Sequence, residues 1–221
     1  VAQQADVIFT IVSDTPDVEQ VIFGDGGIAS GARPGSVIVD MSTISPAATV
    51  AFAQRLAGLG IDMLDAPVSG GETGAINAVL SIMVGGKAAV FERIRPLFAC
   101  MGRNIVHIGG NGAGQVAKAC NQIVVSVTIE AVAEALTFAR KNNVDPARVR
   151  EALLGGSAGS KILVVHGQRM LENNFTPGFK IGLHRNDMRI VMEAAQQSVA
   201  ALPAAALVTR HLNSMVGTGD S

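Results

Sequence analysis

Residues 105–141 read IVHIGGNGAGQVAKACNQIVVSVTIEAVAEALTFARK, and this stretch contains the change from a strand pattern to a helical one. It opens with a short apolar strand, Ile105 to Ile108, and continues through a glycine-rich loop. From Ala113 to Lys141 the pattern is helical and mostly apolar, which predicts one long helix. Apolar residues occur on nearly all sides of this helix, so we expect it to be buried.

The segments before this helix alternate between strand-like and helix-like patterns. Asp6–Val12 and Ser36–Ser42 are apolar runs without polar alternation, which is typical of strands buried on both faces of a parallel sheet. Ser45-Pro46 marks a helix start, and that helix is predicted to reach about Leu59. The other predicted elements are helices at Asp17–Phe23 and Ala88–Phe98 and strands at Asp62–Val68, Leu80–Val84 and Ile105–Ile108.

The segments after the long helix are all helix-like, and no strand-like run follows Ile108. The sequence therefore predicts an α/β domain over residues 1–111 and an all-helical domain over residues 112–221. The later helices are expected at Pro146–Leu154, Ile162–Leu171 and His184–Ala201, with a short one after Pro203.

The composition describes a globular chain close to electrical neutrality. The net charge is −1, and there is no Trp or Tyr, so we expect no nucleic-acid partner. The most apolar stretch, Ile123–Leu136, is interrupted by Glu130 and Glu134 and is too short to cross a bilayer. No signal-peptide pattern opens the chain. We therefore expect no membrane partner and a cytoplasmic location.

Neither the cysteines nor the histidines form a recognisable reactive pattern. Cys100 and Cys120 have no CxxC spacing and are predicted to be buried free thiols. No His/Cys cluster has the spacing of metal ligands, so we expect no metal site. The four histidines accompany no nucleophile motif and are predicted to be structural; they are His107, His166, His184 and His211.

The segment from Gly112 to Ala117 fits the dinucleotide-binding pattern GxGxxA. That pattern requires a second parallel strand about 30 residues later. Here the helix runs on through Glu130 and Glu134 instead. We interpret the glycines mainly as a turn into the long helix and keep pyrophosphate binding as the alternative.

Lys118 lies one turn inside the long apolar helix. A lysine in such surroundings is desolvated, which lowers its pKa and makes it a candidate general acid or base. Asn121 and Gln122 follow at i+3 and i+4 and share its face, which suggests a lined pocket. The alternative is a lysine that reaches solvent or pairs with a carboxylate.

Three predicted strands end in small polar residues. Ser69, Gly70 and Gly71 follow one strand, and their hydroxyl and backbone N–H groups could hold a carboxylate. A plain glycine turn is the alternative. Asp40 to Thr43 and Val12 to Asp14 end the other two strands, and strand ends of this kind line ligand crevices in parallel sheets.

These segments together resemble the β-hydroxyacid dehydrogenases nearly from end to end. The resemblance rests on DVIFTIVSDTPDVEQVIFG, VIVDMSTISP, LDAPVSGGETGA, LSIMVGG, GNGAGQVAKACNQ and FTPGFKIGLHRND. The last segment and the Lys-x-x-Asn-Gln arrangement are most similar to the tartronate semialdehyde (2-hydroxy-3-oxopropionate) reductase branch of the family. The family fold is a Rossmann-type α/β domain followed by an all-α domain on a long interdomain helix, as in 6-phosphogluconate dehydrogenase.

The resemblance implies a reversible reduction of a small 3-oxo acid by NAD(P)H, with Lys118 as general acid. It implies NAD or NADP as cofactor and a homodimer or homotetramer. Ser69, Gly70 and Gly71 would hold the substrate carboxylate, and Asn121 or Gln122 would orient its hydroxyl. The cofactor-contacting positions implied by the family are Val12, Ser13, Asp17, Thr43, Phe179 and Asn186, of which Phe179 would close over the nicotinamide or the substrate.

The sequence departs from the family pattern in two respects. The family fold opens with a strand, a GxGxxG turn and a helix that hold the pyrophosphate, and we expect this N-terminal part and the C-terminal end to be absent from the chain. The chain as given would then bind the cofactor weakly. Asn186 also replaces a lysine that relatives usually carry. The alternatives are 3-hydroxyisobutyrate or succinic semialdehyde/glyoxylate chemistry, or a non-catalytic binding protein with this fold.

Overall fold

A computed structural model of the chain describes residues 2–176 and 178–217. It contains two compact units, each formed by two segments of the chain. The first comprises Val1–Asn121 and Asn186–Ala200, and the second comprises Gln122–Arg185 and Ala201–Ser221. The unit division falls after Asn121, inside the long helix, so the domain boundary at residues 111/112 stays a prediction.

The first unit is built on one sheet that is mixed, whereas we expected a parallel one. The strands are β1 (Val7–Thr10), β2 (Val37–Asp40), β3 (Asp62–Asp65), β4 (Val68–Ser69), β5 (Leu80–Gly85) and β6 (Gly102–Gly109). β1, β2 and β3 are parallel neighbours, and β5 is parallel to β6. β5 runs antiparallel to both β3 and β4. The expectation of a parallel sheet is therefore correct for two groups of strands and wrong where they meet.

The strand expected over Asp62–Val68 is interrupted. β3 ends at Asp65, and the chain resumes pairing with β5 only at Val68. Pro67 lies in the gap and has no N–H group with which to continue a ladder, although its carbonyl accepts from Met83 N at 3.0 Å. The following glycines were expected to form a turn or cradle, and the structure shows that a short helix begins there.

The helices of the first unit cover both faces of the sheet. They are α1 (Thr15–Phe23), α2 (Ile28–Gly31), α3 (Pro46–Ala57), α4 (Gly71–Ile76) and α5 (Ala88–Phe98), after a 3-10 turn at Ala2–Gln4. Ser45 caps α3 as predicted, because its side chain accepts from Ala48 N. Alternate residues of β2 enter two separate cores: Val37 and Val39 join one, and Ile38 joins the other. Burial on both faces explains the unbroken apolar run of β2.

The long helix α6 (Ala113–Lys141) has the predicted bounds and continues from the first unit into the second. The other helices are α7 (Pro146–Leu154), α8 (Lys161–Leu171), α9 (Ile181–Gln197) and α10 (Pro203–Gly217). α9 begins before the predicted His184, and α10 is longer than the short helix expected. Within the second unit, Val132 and Leu136 of α6 pack with Leu163 of α8. No strand follows Gly109 in the described part of the chain.

Two expectations about burial are wrong. α6 is not buried on all sides, since Val124 is 65% and Phe138 is 72% exposed. Cys100 and Cys120, predicted to be buried, are both exposed free thiols. Among the described helices, α6 as a whole is long and apolar enough to cross a membrane by length and composition, which we had judged only over Ile123–Leu136. A single helix of this kind is weak evidence for a span, because core helices of soluble proteins pass the same test.

Candidate active site

The start of α6 is fastened to the end of β3 by a buried carboxylate. Asp65 Oδ1 accepts from the backbone N–H of Gly112 at 2.8 Å, and Oδ2 accepts from that of Gln115 at 3.1 Å. Gly112 has a φ of +88°, and a side chain on Gly114 would overlap the carbonyl oxygen of Met83. The GxGxxA segment therefore packs closely at the start of α6, and the side chain of Asp65 already occupies the N-terminus of this helix. This supports the turn interpretation over pyrophosphate binding.

Lys118 lies one turn further along α6 and is only 8% exposed. Its Nζ donates a hydrogen bond to the backbone carbonyl of Val68 at 2.9 Å. Burial lowers the pKa of Lys118, and the carboxylate of Asp187 acts in the opposite direction. The side chain therefore does not reach into bulk solvent, and its ammonium group lies beside the strand residue that precedes Ser69.

Asp187 is the residue near this ammonium that our reading of the sequence missed. It lies on α9, within the first unit, and is buried. Val191 and Ala195, which follow at i+4 and i+8, are also buried, so Asp187 occupies the apolar stripe of its helix. An acidic residue on such a stripe is the signal that could have identified it. We had noted only that its neighbour Asn186 replaces a lysine.

The predicted carboxylate cradle lies directly after Val68. Ser69 is the last residue of β4 and pairs with Ser81 of β5, and its side chain is partly exposed. Gly70 and Gly71 are exposed and have φ values of +139° and +61°. Residues other than glycine rarely adopt these angles. The structure thus brings Ser69, Gly70 and Gly71 to the same short segment that accepts the Lys118 hydrogen bond.

Asn121 and Gln122 follow Lys118 on α6, as their spacing requires. Asn121 is partly buried in the first unit, whereas Gln122 is buried and belongs to the second. Both residues already take part in interactions. Their roles toward a substrate stay predictions.

The ends of β1 and β2 carry the predicted cofactor residues and are joined by a chain of hydrogen bonds. Thr10 Oγ1 and Ser42 Oγ donate to Asp40 Oδ1 at 2.9 and 2.7 Å. Ser42 Oγ in turn accepts from the backbone N–H of Val12 at 2.9 Å. Val12 is partly buried, and the next residue, Ser13, is exposed. These strand ends are therefore held in a fixed relation with Ser13 facing outward.

The loop that carries Thr43 is held from two further directions. Gln115 of α6 accepts from Ile44 N at 3.1 Å and donates to the Ser42 carbonyl at 2.8 Å. Thr15 Oγ1 accepts from Ser45 N at 3.1 Å. The partly exposed Thr43 therefore sits on a rigid loop at the carboxyl end of a parallel strand. Fixed, partly open strand ends of this kind fit a dinucleotide, which binds at this edge of α/β sheets.

Asn186 is drawn toward the end of β1 by an arginine. Arg189 Nη2 donates to Asn186 Oδ1 at 2.7 Å and to Asp14 Oδ2 at 2.9 Å. Asp14 also caps α1 by accepting from Thr15 N. Asn186 therefore lies near the predicted cofactor residues Val12 and Ser13. Asp17 is exposed in the first turn of α1.

Phe179 lies in the second unit, where it is exposed and contacts His184 with ring centroids 6.0 Å apart. Its closure over nicotinamide or substrate stays a prediction. Among the described residues, no group of three His, Cys, Asp or Glu side chains could hold a metal ion.

Three of the four histidines have identified partners. His184 Nε2 and Ser126 Oγ lie 2.6 Å apart, His211 Nδ1 lies 3.0 Å from Glu130 Oε1, and His107 Nε2 lies 2.8 Å from the Gly86 carbonyl.

The chain matches known families and proteins along its whole length. Residues 1–109 match the NAD binding domain of 6-phosphogluconate dehydrogenase, and residues 112–221 match the NAD-binding domain of NADP-dependent 3-hydroxyisobutyrate dehydrogenase. A 2-hydroxy-3-oxopropionate reductase of Escherichia coli is 51% identical over 221 residues, which are 100% of this chain and 76% of that protein. A 3-hydroxyisobutyrate dehydrogenase of Pseudomonas aeruginosa is 36% identical over 98% of this chain and 75% of its own length.

Solved structures agree with these matches. The 3-hydroxyisobutyrate dehydrogenase of Mycobacterium tuberculosis, solved with L-serine, superposes with a TM-score of 0.89 at 30% identity. The alignment covers 98% of this chain and 76% of that one. The expected fold class, a Rossmann-type domain with a helical domain on a long helix, is therefore confirmed, as are NAD or NADP as cofactor. The chain belongs to the β-hydroxyacid dehydrogenase family and is one of its NAD(P)-dependent enzymes.

Proposed function

We propose that the protein reversibly reduces tartronate semialdehyde, a small 3-oxo acid, to glycerate, with Lys118 as general acid. The observation that carries this proposal is the buried ammonium group of Lys118, which donates to the Val68 carbonyl next to Ser69. A desolvated ammonium with a lowered pKa transfers a proton readily. Placed beside a developing alkoxide, it also stabilises negative charge.

The segment after Val68 supplies the anchor for the substrate carboxylate. The hydroxyl of Ser69 and the backbone N–H groups of Gly70 and Gly71 would bind it, since these three residues are at least partly exposed. Their position next to the Lys118 hydrogen bond would place the aldehyde oxygen of a short substrate near the ammonium. Asn121 or Gln122 would orient that oxygen from the same helix as Lys118.

The strand ends of β1 and β2 would hold the cofactor. Val12, Ser13 and Thr43 would contact it on the rigid loops described above. When bound, NADH or NADPH supplies the hydride. Further contacts are proposed for Asp17, Asn186 and Phe179.

The choice of substrate is supported by the 51% identity to the 2-hydroxy-3-oxopropionate reductase of Escherichia coli. Relatives at 36% identity include a 3-hydroxyisobutyrate dehydrogenase, a 2-(hydroxymethyl)glutarate dehydrogenase and an L-serine dehydrogenase. 3-Hydroxyisobutyrate or succinic semialdehyde chemistry is therefore the second candidate. A substrate panel would decide, and a higher kcat/KM for a methyl-substituted or four-carbon substrate would overturn our choice.

Replacing Lys118 tests the proposed role of its ammonium group. In the complete protein, we expect Lys118→Ala to lower kcat for reduction by about 100-fold or more, as loss of a general acid does. In the unaltered enzyme, reduction should slow as pH rises through the lowered pKa of Lys118, because the acid form is lost. Oxidation should show the opposite trend. Lys141→Ala, an exposed lysine at the end of the same helix, is the control, and wild-type kcat in Lys118→Ala would refute the proposal.

We also propose that the protein is a cytoplasmic homo-oligomer. Val124 and Phe138 leave apolar surface exposed on α6, and a second copy of the chain would cover it. Sedimentation analysis tests this proposal, and a monomer at micromolar concentration would contradict it.

A further inference from the structure

We propose that Asp65 is the positioning residue of this reaction: its buried carboxylate seats α6 so that Lys118 meets the segment Ser69–Gly71. The inference rests on the proposed function, because it assigns Asp65 a role through Lys118. The role of Asp65 is thus different from that of Ser69, Gly70 and Gly71, which are proposed to bind the substrate carboxylate.

Asp65 itself does not contact the substrate. It is fully buried, and both of its oxygens are occupied by backbone N–H groups at the start of α6. A substrate carboxylate would also be repelled by a second carboxylate at short range. Its contacts instead join β3 to α6, elements separated by 47 residues between Asp65 and Gly112.

The structure reserves space for this carboxylate. A Cβ atom on Gly85 would lie 2.6 Å from both Asp65 oxygens, and one on Gly114 would lie 2.8 Å from Oδ2. Any larger residue at either position would displace the carboxylate. The two glycines therefore leave the room that the Asp65 carboxylate occupies.

Asp65 and Val68 form a two-point clamp on the helix. Asp65 binds the backbone of Gln115, and the carbonyl of Val68 binds the side chain of Lys118. Asp65 and Val68 are three residues apart in the sequence, and their partners Gln115 and Lys118 are also three residues apart. Two attachments one helical turn apart restrict both sliding and rotation of α6. The ionised form of this carboxyl group would also suit the positive end of the helix dipole.

The substitution Asp65→Asn tests this role with little change of shape. The amide keeps one acceptor but turns an N–H group toward backbone N–H groups, so the first turn of α6 should shift. We expect kcat for reduction to fall about 10- to 100-fold, since small misplacements of catalytic groups have effects of this size. KM for the nicotinamide cofactor should change less than kcat, because Thr15 also holds the loop of Thr43, independently of α6.

The pH profile separates positioning from simple destabilisation. A displaced Lys118 is better solvated, and burial affects its pKa more than Asp187 does, so the pH midpoint of kcat should move upward toward the ordinary value for lysine. Asp145→Asn is the matched control, since Asp145 caps α7 by accepting from Ala147 N and that helix carries no proposed site residue. It should leave kcat and the midpoint unchanged. If Asp65→Asn does not fold, Asp65→Ser, which retains a capping oxygen, replaces it.

The possible outcomes distinguish the two proposals. Reduced kcat with a raised midpoint in Asp65→Asn supports positioning. Unchanged kcat, or reduced kcat with an unchanged midpoint, overturns it. If Lys118→Ala retains activity, the proposed function fails instead, whatever Asp65→Asn does.

Discussion

The neighbouring strands β2 and β3 both end in a buried aspartate, yet the two aspartates have different surroundings. Asp40 and Asp65 are partners in the sheet register, and both are fully buried. Burial raises the pKa of each, and hydrogen bonds act in the opposite direction. The donors to Asp40 all converge on Oδ1, and Oδ2 has no hydrogen-bond partner in the described structure. Asp65 receives donors on both oxygens.

Because of this difference, Asp40 has a local structural role and Asp65 has a long-range one. A buried oxygen without a donor disfavours the charged form, so burial raises the pKa of Asp40, whose hydrogen bonds organise only its own loop and the end of β1. Burial also raises the pKa of Asp65, but backbone N–H donors on both of its oxygens oppose this effect, and these donors fasten a distant helix. Gln115 links both regions, because its backbone N–H binds Asp65 and its side chain binds the Ser42 carbonyl. The same residue type at the same strand position thus serves two purposes, decided by the donors around it.

The largest effect on this arrangement should come from Gly114→Ala. The added methyl group would overlap the Met83 carbonyl oxygen and lie 2.8 Å from the Asp65 carbonyl oxygen. α6 would have to leave its seat, so we expect a loss of about 3 kcal/mol or more in the free energy of unfolding. Urea denaturation measures it. Gly110→Ala is the control, because a Cβ there meets no atom within 4 Å, and equal stability losses in both variants would contradict the close fit of α6.

A smaller effect is expected from Gln115→Leu, which removes the side-chain link between the loop after β2 and the start of α6. The buried N–H of Ile44 and carbonyl of Ser42 would lose their side-chain partner. Leaving buried polar groups unsatisfied should cost about 2 kcal/mol. The loop of Thr43 should also loosen, so KM for the nicotinamide cofactor should rise more than kcat falls. Steady-state kinetics check this against Gln168→Leu, whose partner Glu172 is on the surface, and a change confined to kcat would count against it.

The sequence predicts helices and strands well where Gly or Pro marks their ends. It predicts contacts poorly where the two residues are far apart in the chain. The bounds of α6 and α7 follow from Gly112 and Pro146, which start helices. The break at Pro67 has a local signal, since proline has no N–H group, but the antiparallel pairing of β4 with β5 has none. The family resemblance placed Lys118 in the site from its motif. Sequence spacing could not identify Asp65, which binds the start of α6, or Asp187, which lies near the Lys118 ammonium. Both residues come from segments far away in the chain.

Asp40→Asn should have the smallest effect and the most specific pH dependence. Asn keeps the acceptor for Thr10 and Ser42 and removes the ionisable group from its buried position. Because burial raises the pKa of Asp40, the folded protein binds this proton more tightly than the unfolded chain. The wild type therefore loses stability as pH rises from the ordinary value for aspartate, about 4, through the raised pKa. The Asn variant lacks that loss, so its stability relative to wild type should increase over this window. Urea denaturation at a series of pH values measures the difference.

Should the variant instead weaken relative to wild type as pH rises, Asp40 would be an ionised carboxylate stabilised by Thr10 and Ser42, and the contrast with Asp65 would disappear.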